Sequence, residues 1–106
     1  MDSRNLKIHA PRLCETFDRI ATDAGRPDMR IGGDAWRREA RGTETIPDAL
    51  LFPLGAITQE LMDGRDRAEK RGELTPAERT RVNKLVKRAN ALERHVYACD
   101  RIGFWH

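Results

Sequence analysis

Soft metal ligands occur as two pairs, His9…Cys14 and His95…Cys99. The second pair is spaced i, i+4, so on a helix both side chains face one way. Were the first and last helices to pack together, four ligands could meet in a tetrahedral zinc site. The spacings match no zinc-finger pattern, and both cysteines fall on or beside apolar stripes, where a free cysteine packs as a small hydrophobe. No metal and no cofactor is expected. A structural disulfide is not expected in a reducing cytoplasm either.

Catalytic chemistry has little support. Acidic residues are abundant but interleaved with arginines, as in Arg65-Asp66-Arg67-Ala68-Glu69-Lys70-Arg71. That pattern is a solvated helix face laced with ion pairs. Three histidines and a few hydroxyls form no nucleophile–base arrangement. Gly32-Gly33 follows no strand and reads as a turn, not a phosphate loop. The chain is not expected to be an enzyme.

Binding chemistry is better represented. From Arg79 to Leu92 there are five basic residues and no acid: Arg79, Arg81, Lys84, Lys87 and Arg88. Lys84, Lys87 and Arg88 are spaced i, i+3, i+4 and are expected to share a face opposite the apolar seam, with Arg81 one turn earlier. Such a ridge suits phosphates or an acidic protein surface. Trp36-Arg37-Arg38 places the two residue types most enriched among interface hot spots side by side. The chain ends Ile102-Gly103-Phe104-Trp105-His106, and Phe104-Trp105 either folds back as a lid or meets a partner. A core this sparse needs its aromatics, which favours the lid. The candidate partner-binding residues are thus Trp36, Arg37, Arg38, Arg81, Lys84, Lys87, Arg88 and Trp105.

The elements that must position these residues are helical. Thr75-Pro76-Ala77-Glu78 is a capping box with proline at the first helical position. From it Val82, Leu85, Ala89, Leu92, Val96 and Cys99 recur at spacings of 3 and 4, one seam on a helix of roughly 40 Å that stops at Gly103. Leu50, Leu54, Ile57, Leu61, Gly64 and Ala68 form a matched seam, opened by Thr45 and closed by Gly72. Pro53 requires either a kink or a break after Phe52. The short connection Gly72-Glu73-Leu74-Thr75 folds these two helices into an antiparallel hairpin. A third seam, Leu6, Ala10, Leu13, Phe17, Ile20 and Ala24, must lie across it, with residues 11–24 its secure part. Asp34 caps a fourth, short helix from Ala35 to Arg41, and residues 26–33 read as loop. The expected fold is all-α, a small helical bundle built on a long antiparallel hairpin, with residues 1–106 as a single domain.

Composition narrows the setting. Leu, Ile, Val and Phe number only 21 of 106 residues, while 20 basic and 17 acidic groups nearly cancel to +3. A small core under a mixed-charge surface follows. Residues 1–64 carry a net charge of −2 and residues 65–106 a net charge of +5, so the excess positive potential lies in the C-terminal part. No apolar run reaches the ~20 residues of a membrane span. The N-terminus lacks the apolar stretch of a signal peptide, so a cytoplasmic location is expected. Arginine outnumbers lysine 16 to 4, a bias read as a GC-rich bacterial genome or its mobile elements.

Two resemblances bear on function. Leu74-Thr75-Pro76-Ala77-Glu78-Arg79 resembles the opening of the first helix of LuxR-type helix-turn-helix domains. That family breaks the helix within a few turns, whereas Val82 to Cys99 runs on, so the likeness is one of capping box alone. In size and make-up the whole chain resembles the small all-helical anti-CRISPR proteins that act on type I systems, a group without a shared motif. That resemblance implies a phage or mobile-element inhibitor that binds a CRISPR surveillance complex or its recruited nuclease-helicase. The alternative is a DNA-binding regulator or relaxosome accessory protein using the basic ridge. Either would be a monomer or homodimer.

Overall fold

The two long seams close on each other. In the computed structural model, which describes residues 1–102, the chain forms α1 (Ser3–His9), α2 (Pro11–Asp23), a 3-10 turn (Pro27–Met29), α3 (Asp34–Glu39), α4 (Ile46–Lys70) and α5 (Pro76–Arg101). The fold is all-α, and α4 and α5 make the antiparallel hairpin around which the rest is built. Both hairpin helices open on a threonine whose hydroxyl accepts from a backbone N–H: Thr45 from Asp48 at 3.2 Å and Thr75 from Glu78 at 3.1 Å. Each then has proline in its first turn, where no hydrogen bond is lost. Of the Thr75 capping box only this forward bond forms; the return bond to the Glu78 carboxylate is absent among the described residues.

Pro53 neither ends α4 nor divides it; the helix continues through it to Lys70. An interior proline removes the N–H that would bond the carbonyl four residues back, here that of Ala49. The indole N–H of Trp36 donates to this carbonyl at 3.2 Å. Trp36 is 2 % exposed. It is therefore part of the core and not an outward anchor, contrary to the sequence expectation. The helix that carries it is also shorter than expected: Gly33 is its N-cap, Asp34 its first residue, and it ends at Glu39.

The first seam folds as two helices. Ala10, before Pro11, leaves the helical region with φ −137° and ψ 57°, the steric consequence of the following proline. Leu6, Ala10, Leu13, Phe17 and Ile20 nonetheless all point into one core with Leu50, Leu54, Ile57, Leu92 and Val96. Residues 26–33 are more ordered than a plain loop. Met29 and Ile31 are buried, and the Asp18 carboxylate accepts from the Ile31 N–H at 2.7 Å. Gly33 closes this segment, because a Cβ there would stand 2.3 Å from the Asp28 carbonyl oxygen.

The packing is lopsided. α1 to α3 cover the N-terminal half of α4 and the C-terminal half of α5. Beyond Ile57, α4 has no fully buried residue, and Leu61, Gly64 and Ala68 are only half-buried. The distal hairpin is held by Val82 and Leu85, by Arg65 donating to Asn83 at 2.8 Å, and by the Arg79–Glu69 pair at 3.2 Å. The Cα radius of gyration is 14.4 Å and the long axis 48 Å, against about 13 Å of gyration for a rounded chain of this length. The result is a rod with a thickened end.

Candidate functional site

The basic face of α5 does not hold together as one ridge. Seven residues are nearly two full turns, so Arg81 and Arg88 stack on one flank of α5, beside the seam. There both turn toward the end of α2. Arg88 pairs with the Asp23 carboxylate at 2.7 Å, and Arg81 reaches the Asp23 backbone carbonyl at 3.4 Å. Arg88 is half-buried by this contact. It therefore does not share the outer face with Lys84 and Lys87, as its spacing suggested. Those two lysines do project outward, exposed and in no ion pair among the described residues. With Thr80, Asn83 and Asn90 they border a shallow hollow of about 580 Å³.

The other expected contacts are scattered. Arg37 and Arg38 are exposed on α3, with Arg37 3.9 Å from Asp34, but Trp36 between them points inward. No Trp-Arg-Arg patch is presented. Gly103, Phe104 and Trp105 lie outside the described residues, so the expected helix stop and aromatic lid do too.

A second feature escaped the sequence reading. A groove of about 860 Å³ lies between α2 and α5. The buried Leu13, Ile20 and Leu92 back it from the core, while Arg12 and Arg88 stand along its edge. His9 and His95 line it as well. The exposed methyl of Ala91 and the largely exposed Ile102 continue its apolar surface. The only advance signal was that α2 and α5 each carry arginine next to the apolar stripe.

The soft ligands are divided. His95 Nε2 lies 3.9 Å from Cys99 Sγ, on the groove, whereas Cys14 borders a different hollow. Among the described residues no three His, Cys, Asp or Glu side chains are placed to hold one metal ion. Burial, with the neighbouring Asp18 charge, pushes the Cys14 thiol up to about 11. It is thus a neutral packing group at physiological pH.

One charge cluster is structural. Arg26 forks onto Asp28 with bonds of 2.9 and 3.0 Å and also donates to Glu60 of α4. These bonds raise the Arg26 guanidinium further and hold the Asp28 carboxyl below the usual carboxylate range. The cluster ties the 3-10 turn to the hairpin. Among the described residues no helix is long and apolar enough to cross a membrane. Compared with protein-family models, curated proteins and solved structures, the chain matches none.

Proposed function

We propose that this protein works without catalysis, by binding a larger protein assembly and obstructing it, in the manner of the small helical anti-CRISPR proteins it resembles. One observation carries the reading. The outer face of α5 is free of carboxylates from Arg79 to Leu92, and its two lysines, Lys84 and Lys87, have no partner within the described chain. Arg79 and Arg88 on the same helix, by contrast, are held in ion pairs. Unpaired lysines on a rigid rod suit an acidic surface, which they would select and orient by charge. A type I surveillance complex or its nuclease-helicase is the class of target proposed.

The test is target interference by a purified type I complex, with and without the protein, alongside recovery of the complex on the tagged full-length chain. Inhibition with co-purification, lost together in Lys84→Glu/Lys87→Glu, supports the proposal. Undiminished interference at saturating protein rejects it for that complex. A second reading, nucleic-acid binding, draws on the exposed Asn90 beside the lysines, since an amide donor complements phosphate contacts. Gel shift of generic duplex DNA at 50 and 200 mM salt separates the two. A shift that weakens steeply with salt favours the nucleic-acid reading.

A further inference from the structure

We infer that the groove between α2 and α5 seats an acidic amphipathic helix belonging to the protein partner. The inference rests on the protein-binding reading above but concerns a different face of the molecule.

Shape gives the first argument. The groove's walls run from Pro11 to Ile20 on α2 and from Arg88 to Ile102 along α5 and its C-cap. At 1.5 Å per residue these walls are roughly 14 to 21 Å long, about two and a half to four turns of a third helix. Pro11, Ala91 and Ile102 give the groove an exposed apolar floor, backed by the buried Leu13 and Leu92. A helix with apolar residues at i, i+4 and i+7 meets such a floor on one side.

Charge chooses the occupant. No carboxylate lines the groove among the described residues, although 17 of the 106 residues are acidic. Its edges carry two arginines. Arg88 keeps its pairing with Asp23, which fixes the guanidinium in place. Arg12 is exposed and in no ion pair among the described residues. An apolar floor with the unpaired Arg12 at its edge and no carboxylate in its lining disfavours a basic helix and favours one flanked by Glu or Asp.

The probe is a fluorescent, alanine-rich helical peptide of about 14 residues, with leucines at i, i+4 and i+7 and glutamates flanking them. Its control has lysine at every glutamate position. Anisotropy with the full-length protein is expected to show the acidic peptide binding at least about tenfold more tightly than the basic one. Arg12→Glu and Ala91→Glu, both at exposed positions, should each weaken it severalfold while leaving the helical circular dichroism unchanged. Equal binding of the two peptides, no binding of either at millimolar concentration, or indifference to Ala91→Glu overturns the inference. So does a self-associated dimer that Ala91→Glu dissociates, which would make a second copy the occupant. Tighter peptide binding by Trp105→Ala likewise overturns it, in favour of the chain's own C-terminal residues. Lys84→Glu/Lys87→Glu should leave peptide binding within about twofold, because neither lysine lines the groove. Failure of complex inhibition therefore counts against the proposed function alone, and failure of the peptide against the groove alone.

Discussion

The indole N–H of Trp36 donates to the Ala49 carbonyl, the α4 carbonyl whose ordinary helical partner is denied by Pro53. Both the ring and the proline are buried. A proline inside a helix costs about 3 kcal/mol, part of it from the stranded acceptor. The tryptophan of the short α3 supplies the missing donor, and this explains why α4 stays continuous. Trp36→Phe should destabilise the protein by about 2 kcal/mol or more, through an unsatisfied carbonyl and a partly empty ring site. In a Pro53→Ala background the backbone N–H at position 53 returns, so the same change should cost about 1 kcal/mol less. Urea denaturation of the four proteins measures the coupling. A zero coupling would show that the two sites act independently.

Gly33 and Gly55 should respond to alanine in opposite directions. At Gly33 the new methyl would meet the Asp28 and Arg30 carbonyl oxygens at 2.3 and 3.0 Å. These are backbone atoms, in a segment fixed by the Arg26 cluster, and they have little room to yield. Gly33→Ala should cost about 2 kcal/mol or more. Gly55 lies on the exposed face of α4 with nothing within 4 Å, so Gly55→Ala should stabilise by about 0.5–1 kcal/mol through helix propensity alone. Thermal melts of both variants decide the matter; two losses of equal size would refute the distinction.

The contrast between these elements shows what sequence patterning could reach. Seams at 3- and 4-residue spacing specify the hairpin because the periodicity is internal to each helix. Leu85 and Leu92 are each 4 % exposed, as expected. The burial of Trp36 is not legible locally, because its partner is 13 residues away and no local spacing reveals a carbonyl left vacant on another helix. Met29 and Ile31, in a segment whose sequence reads as loop, are buried for a similar reason. Their burial depends on α2 and α3 arriving beside them, with Asp18 holding the Ile31 N–H. Arg88 looked equivalent to Lys84 and Lys87 until α2 placed Asp23 against it.

The buried thiol of Cys14 makes stability fall in alkali. Its pKa is pushed up from 9.0 to about 11, first by burial, then by the Asp18 charge, with Lys7 opposing. The folded state therefore keeps the proton to a higher pH than the unfolded state. The stabilisation is fully present below the unfolded value and is lost as pH rises through about 11. The loss attributable to this group is up to about 2–3 kcal/mol. Cys14→Ala should lower stability slightly at neutral pH and flatten the decline between pH 8 and 10.5. Parallel declines in the two proteins, followed by urea denaturation, would assign the effect to other groups.

Charge reversal on α5 should separate binding from folding. Lys84 and Lys87 touch no acidic partner among the described residues, so Lys84→Glu/Lys87→Glu should shift stability by less than about 0.5 kcal/mol. Arg88 differs, because its guanidinium lies 2.7 Å from the Asp23 carboxylate at the junction of α2 and α5. Arg88→Glu replaces that attraction with repulsion and should cost about 1–2 kcal/mol; the pair is too exposed to cost much more. If the outer face is what the partner reads, the lysine double variant loses binding at full stability. Arg88→Glu should instead lower the melting temperature in every assay, and an Asp23→Lys change should recover part of that loss. Thermal melts paired with co-purification of the target test both halves. A lysine variant that melts early would mean that this face is held internally after all, and a partner-free explanation of its missing carboxylates would then be needed.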